Sequence, residues 1–443
     1  MQIVLFLLWF QKLILILFRT YFKKVGVYIM EYPTLLPRFL KYVKINSRSD
    51  ENSQRFPSTE IEEKFQKIIL NDLKELGLQC YYNQKSGCVI ATIDSNVDYD
   101  VPTFGLLAHC DTADFESNNI NPQITHNYDG VSKIKLGDTD FYLDPAIFPH
   151  LKKYKGQTII STSGDTLLGG DDKCGVSELL TFAEYLVNHP EEKHGEIKLA
   201  FTPDEEIGTG ASHFDVEDFG AKFAYTVDGE GPGKLDWGTF SAAQFSLDIQ
   251  GIDVHPAQAK DKMINAIKLA IDFQNQLPQN EVPEKTAGEE GFYHLLKFEG
   301  TVDHAHLEYI IRDFKRDNLE KRKELVQNIV NKINDQFDQK RVVLKMADQY
   351  YNMADELKKN MEVVDLARNA YKALGLTINE DPVRGGTDGS QLTYMGLPCP
   401  NLFAGEENMH GRYEYTVLES MWLAVDVLRK INELHLKKYQ KLI

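Results

Sequence analysis

The sequence predicts an α/β protein: an α/β/α domain with a mostly parallel central sheet, plus an inserted ferredoxin-like α+β lid. Three observations predict it. Short apolar runs alternate with helix-like stretches, and some, such as Thr103-Phe104-Gly105-Leu106-Leu107-Ala108, are apolar almost throughout, as in strands buried on both faces of a sheet. Most of these runs end on an acid or a histidine. Between residues 240 and 350 the texture changes to alternating strands and amphipathic helices in β-α-β-β-α-β order, that of a ferredoxin-like unit.

A chain of 443 residues is too long for one core, which rarely exceeds ~250–300 residues. We divide it into 30–239 and 351–443, the two parts of the larger domain, and the insertion 240–350. Its 42% hydrophobic and 26% charged residues fit a soluble globular protein. The net charge is −17, and the four bases of residues 1–29, with no acid among them, leave −21 for the remainder. Such a surface repels phosphate backbones and argues against a nucleic-acid partner. Five cysteines (Cys80, Cys88, Cys110, Cys174, Cys399) form no CxxC pair, and their odd number points to reduced thiols and a cytoplasmic location.

Residues 3–18 are apolar apart from Gln11-Lys12. The run is shorter than the ~20 residues of a membrane span, and Arg19-Thr20-Tyr21-Phe22-Lys23-Lys24 lacks the small residues of a cleavage site. We read 1–29 as an upstream extension with translation beginning at Met30; a membrane anchor is the alternative.

From Met30 the elements follow in order. Helical spacing covers 33–43, and Ser58-Thr59-Glu60-Ile61-Glu62 opens a second helix with a cap and first-turn acids, stopped by Gly77. Strands are expected at 88–93 and 103–108, the latter delivering His109-Cys110-Asp111. A polar excursion, 112–155, precedes Gln157-Thr158-Ile159-Ile160 and the turn Leu167-Leu168-Gly169-Gly170-Asp171-Asp172-Lys173-Cys174-Gly175, then a helix over 176–188. A strand at 196–201 leads to Thr202-Pro203-Asp204-Glu205-Glu206, and one at 223–227 ends on Asp228. In the insertion, strands at 241–251, 294–300, 306–314 and 341–346 alternate with helices at 263–276 and 319–337. The chain closes with a helix at 361–374, the glycine-rich turn Arg384-Gly385-Gly386-Thr387-Asp388-Gly389, a strand at 400–403, Glu406-Glu407-Asn408-Met409-His410, and a helix at 416–436.

Singly, each polar strand end has a plain reading: a capping histidine, a helix start, a solvated turn. Jointly they describe one place, because open α/β sheets gather ligands at the carboxyl ends of their strands. The candidates are His109, Asp111, Asp171, Asp172, Glu205, Glu206, Asp228 and His410. Mixed imidazole and carboxylate donors suit Zn²⁺ and related divalent ions. A two-ion site with its ions about 3.5–4 Å apart needs roughly five protein ligands, one of them bridging. Three carboxylates and a hydroxide would neutralise two divalent ions, which limits the burial penalty.

HxD at 109–111, GGDDK at 169–173, TPDEE at 202–206, the VDGE acid at 228 and the late His410 resemble the M20-type di-zinc metallopeptidases. Within that family, Tyr225-Thr226-Val227-Asp228-Gly229, Glu290-Gly291-Phe292-Tyr293-His294, Tyr309-Ile310-Ile311-Arg312-Asp313-Phe314, the 384–389 turn and Met395-Gly396-Leu397-Pro398-Cys399-Pro400 look like its tripeptide aminopeptidases. The resemblance runs from about Met30 to the C-terminus.

It implies that His109 and Asp228 hold one Zn²⁺, Glu206 and His410 a second, and Asp171 bridges; Co²⁺ and Mn²⁺ suit the same donors. Asp111 would orient His109. Glu205 would be the general base that moves a proton from water to the leaving amine. Asp172 would shape the turn through a strained or cis peptide. His255 resembles a residue reaching the substrate carbonyl, and Arg312 and Arg384 resemble clamps for a peptide carboxylate. The implied substrate is a small peptide, and lids of this family can join two copies into a homodimer. Gly170 and Cys174 stand where alanine-like residues are expected and Cys110 where valine is usual, so sensitivity to thiol reagents is a further expectation. A dipeptidase, carboxypeptidase or N-acyl amino-acid hydrolase is the alternative within this chemistry; a non-catalytic peptide-binding protein is the alternative outside it.

Overall fold

The computed structural model describes residues 30–440; both expectations for residues 1–29 lie outside them. Among the described residues no helix is long and apolar enough to cross a membrane. The chain forms two compact units. The first takes the described residues up to Asp236, Glu356–Glu380 and those from Leu392 onward; the second takes Trp237–Asp355 and Asp381–Gln391. The glycine-rich turn therefore belongs with the insertion rather than with the closing part of the larger domain. Phe240 N donates to Val383 O (3.2 Å) and Gly385 O (3.3 Å), which ties it there.

The first unit is built on a seven-stranded sheet ordered Gln79–Asn83, Cys88–Ile93, Ile197–Thr202, Phe104–His109, Phe223–Gly229, Asn401–Phe403, Leu235–Asp236. The four strands from Ile197–Thr202 to Asn401–Phe403 are parallel. Antiparallel pairs finish both edges, because Gln79–Asn83 and Cys88–Ile93 form a hairpin and Leu235–Asp236 runs back along Asn401–Phe403. Every residue of Phe104–His109 is buried, in keeping with its unbroken apolar run. Helix Gly170–Asn188 lies against this strand and Phe223–Gly229, flanked by Leu418–Gln440 and Leu35–Tyr42. On the opposite face Leu107 packs with Cys88, Ile90, Ala200, Phe214 and Phe219.

Helix Glu60–Glu75 begins with a full capping box between Thr59 and Glu62, a motif contributing about 1 kcal/mol. A second sheet, Glu406–Glu407, Tyr415–Val417, Ile159–Ser161, Gln123–Thr125, lies where the sequence reads mostly as loop. Its strands have two or three residues, too few for a period to show.

The second unit has an antiparallel sheet ordered Phe292–Gly300, His304–Asp313, Ser241–Gln250, Val342–Tyr350. With helices Ala266–Gln276 and Arg316–Asn334 it has the ferredoxin-like order and sheet arrangement. Phe245, Leu247, Phe273, Tyr309, Ile311, Val326 and Val330 belong to its core.

Candidate active site

The parallel strands set the site. His109, 2% exposed, ends one strand and Asp228 lies near the end of its parallel neighbour. Cys110 N donates to Thr202 O (2.8 Å), holding the next strand end alongside. From there the acidic loop is tied back by Asp111, whose two oxygens accept the amides of Glu205 (3.0 Å) and Glu206 (3.1 Å). Asp204 occupies the left-handed region at φ 55°; its amide donates to Glu62 Oε2 (3.1 Å), and its carboxylate accepts Ser58 N (2.8 Å). The capping box thus also anchors the loop that carries Glu205 and Glu206.

The Gly169–Gly175 stretch is equally constrained. Glu414 accepts the amides of Leu168 (2.7 Å), Gly169 (2.9 Å) and Asp171 (3.1 Å). The Asp171-Asp172 peptide bond is cis, one of the two forms expected for this turn. Both oxygens of Asp172 are taken by amides, those of His109 (3.0 Å) and Gly175 (2.9 Å). A Cβ at Gly175 would stand 2.0 Å from Val227 O and 2.4 Å from Asp172 Oδ1, so only glycine fits.

Five of the expected residues meet around Asp171. His109 Nε2 lies 2.8 Å from Asp171 Oδ1 and 3.4 Å from Asp228 Oδ1. His410 Nε2 lies 3.0 Å from Asp171 Oδ2 and 3.0 Å from Glu206 Oε2. Asp171 therefore turns one oxygen to each histidine. Asp111 Oδ1 is 3.3 Å from His109 Nδ1, near but not aligned as a hydrogen bond. Glu205 is half-buried beside Glu206.

The electrostatics follow from the crowding of acids around the two histidines. Burial opposes charge on His109, yet Asp228, with the contacts to Asp111 and Asp171, outweighs it and raises its pKa well above the usual value. His410 is raised to about 11 by its bonds to Asp171 and Glu206. Burial and the neighbouring Asp171 push Glu206 up to about 7, against His410. Burial works against ionised Asp171, but the two histidines hold it below the ordinary carboxylate range. Protons on the two histidines relieve these acids, the part that a bound divalent cation would take over.

The donor set fits divalent ions. Ligand atoms of His109, Asp171 and Glu206 lie within 4.8 Å of one another, as do those of Asp171, Asp228 and Glu406, and of His109, Asp172 and Asp228. Glu206 Oε1 and both oxygens of Glu406 are buried without a hydrogen-bond partner among the described residues. Acceptor atoms so placed suit a cation.

Four groups escaped the sequence reading. Glu414 cradles the Asp171 turn, and Glu62 holds Asp204. Glu178 is fully buried, and burial raises its pKa well above normal. Glu406, 1% exposed, joins Asp171 and Asp228 from the two-residue strand Glu406–Glu407. The nearness of the Glu406-Glu407 pair to His410 was the available signal. Cys110 and Cys174 correct an expectation: both are fully buried, and burial pushes both thiols well above their usual pKa. Neither thiol is open to solvent, which argues against the expected sensitivity to thiol reagents.

His255, Arg312 and Arg384 belong to the second unit. His255 is exposed and its Nδ1 accepts Ala257 N (3.2 Å). Arg312 donates to Gln349 Oε1 (2.8 Å) and faces the Tyr350 ring. Arg384 donates to Gly288 O (2.9 Å) and Thr286 Oγ1 (2.7 Å) near the rings of Phe240 and Phe292.

Beside the cluster, the first unit has a cavity of about 1060 Å³ lined by Phe148, Tyr154, Glu230, Glu407, Met409 and His410, among others. It reaches the site at His410 and carries two further acids.

Residues 237–340 match the M20 family of peptidase dimerisation domains. The chain is 73% identical to peptidase T of Lactobacillus helveticus over 411 residues, which are 92% of this chain and 100% of that one. It is 53% identical to peptidase T of Latilactobacillus sakei over 410 residues, 92% of this chain and 99% of that one. In fold it is similar to the crystal structure of aminopeptidase PepT from Bacillus cereus, with TM-score 0.73, 21% identity, and 92% and 99% of the two chains covered. Taken with the cluster around Asp171, these likenesses establish that the chain belongs to the peptidase T family of M20 peptidases.

Proposed function

We propose that the protein removes the N-terminal amino acid from tripeptides with two divalent ions, Zn²⁺ in the first instance. His109 and Asp228 would hold one, Glu206 and His410 the other, and Asp171 would bridge them. One observation carries this reading: the two oxygens of Asp171 face the Nε2 atoms of two histidines, each of which also faces a second carboxylate.

When bound, such ions lower the pKa of water toward ~7 and polarise a carbonyl. The rest falls to the chain. Glu205 takes the water proton and returns it to the departing amine. Asp111 keeps the acidic loop in register through two amides and faces His109 Nδ1, so that Nε2 remains the ligand. Glu230 and Glu407 line the cavity beside His410, where their charge suits the ammonium of a free N-terminus. Arg312 and Arg384, whose guanidinium groups donate to neutral oxygens, would meet a substrate carboxylate, and His255 a carbonyl oxygen. The lid supports a homodimer. The cysteines, all free, support a reducing compartment, and we assign the protein to the cytoplasm.

The test is a panel of di-, tri- and tetrapeptides and an N-acetylated tripeptide, with and without added Zn²⁺. The free tripeptide should be cleaved fastest, and acetylation should abolish cleavage. Preference for the acetylated peptide would point instead to a carboxypeptidase or N-acyl hydrolase, and no cleavage at all to a binding protein.

A further inference from the structure

We propose that Glu406 is a sixth metal-binding side chain of this centre, serving the ion held by His109, Asp171 and Asp228. The inference rests on the two-ion reading above. Glu406 is 1% exposed, and neither oxygen has a hydrogen-bond donor among the described residues. The polar groups around it are mainly carboxyls, Asp171, Asp172 and Asp228, with Asp172 close enough to share a proton with it. Asp172 already accepts two amides, whereas Asp171 and Asp228 each offer an oxygen within 4.8 Å of one on Glu406. A buried carboxyl facing other carboxyls needs either a proton or a cation. Here the cation is the one the neighbouring acids are arranged to hold.

Local packing accommodates it. Strand Glu406–Glu407 pairs with Tyr415–Val417, which fixes the backbone. Gly170 leaves the nearby space open: a Cβ there would stand 3.1 Å from Glu414 Oε1 and 3.9 Å from Glu406 Cγ.

Charge and number give the consequence. Asp171, Asp228, Glu206 and Glu406 together would balance two divalent ions while the bound water is neutral. The ion on the His109 side then has four protein ligands, and the one on the His410 side has three. The former is also the buried side, since the side chain of His109 is 2% exposed and that of His410 57%. The His109-side ion should therefore be held more tightly, and the two ions should leave in separate steps.

The experiment titrates Zn²⁺-loaded protein with a chelator and measures metal per chain, and records the d–d absorption of metal-free protein given one equivalent of Co²⁺. The native chain should lose its ions in two steps. Glu406→Gln keeps the volume and removes the charge. It should weaken the tighter step by about 10–100-fold, at least the loss seen on removing an outer partner of a metal site, and should change the Co²⁺ spectrum through a lower coordination number. Glu406→Ala should do the same. If both variants keep the two steps and the spectrum while the native protein cleaves tripeptides, the proposal fails alone, and Glu406 carries a proton toward Asp172. If the native protein binds no Zn²⁺ or Co²⁺, the two-ion reading fails and takes this one with it.

Discussion

His109 and His410 make the same contact with opposite ends of one carboxylate, yet they live in different solvents. His109 ends a strand buried throughout and is ringed by Asp111, Asp171, Asp172 and Asp228. His410 sits at φ 64° on a loop, its side chain 57% exposed, and lines the open cavity. The difference teaches a division of labour. On the two-ion reading proposed above, the inner half would retain its ion, because burial would make losing a cation among these acids costly. The outer half would give access, because a substrate would have to reach an ion there. Asp171 alone belongs to both.

The comparison can be broken in several places. The largest effect is expected from Asp171→Ala, which removes the shared ligand; kcat should fall about 10⁴-fold, some 5.5 kcal/mol, with both ions lost by metal analysis. Glu205→Gln should lower kcat about 10³-fold with both ions retained; near-full turnover would remove Glu205 from the role of base. His410→Ala should lose the outer ion and about 10²-fold in activity, partly restored by excess Zn²⁺, whereas His109→Ala should not be rescued. Comparing the metal dependence of the two variants tests the asymmetry itself.

Smaller effects lie away from the cluster. Glu419 is buried and accepts Thr158 N at 2.8 Å; burial, opposed by that bond, pushes its pKa up from 4.5 to about 7. A raised folded pKa favours the protonated folded form, so this stability is present below about pH 4.5 and is lost as pH rises to about 7. Glu419→Gln should remove up to about 3 kcal/mol of that slope, read from urea midpoints across the same window. The smallest effect is expected from thiol reagents on the folded enzyme, none on activity, since Cys110 and Cys174 are sealed.

The inner half was largely legible in the sequence and the outer half only in part. Apolar strands buried on both faces announce themselves, and His109, the Asp204-Glu205-Glu206 run and Asp228 stand at or just past their ends. Asp171 and His410 stood out as polar groups among glycines and after a short strand, but their roles as bridge and ligand came only from the motif resemblance. Glu406 was missed because a strand of two residues leaves no pattern, and Glu414, in the loop before Tyr415–Val417, because burial of a carboxylate depends on distant chain, here the Gly169–Gly175 turn. The grouping of 381–391 with the insertion was hidden for a similar reason: its bonds to Phe240 link residues far apart in sequence.

The most direct test of the central claim is to strip the protein of metal and titrate Zn²⁺ back while following hydrolysis of a free tripeptide. The account predicts no activity without metal and full activity at two ions per chain, with the inner site filling first. Full turnover by the metal-free protein, or saturation at one ion, would contradict it.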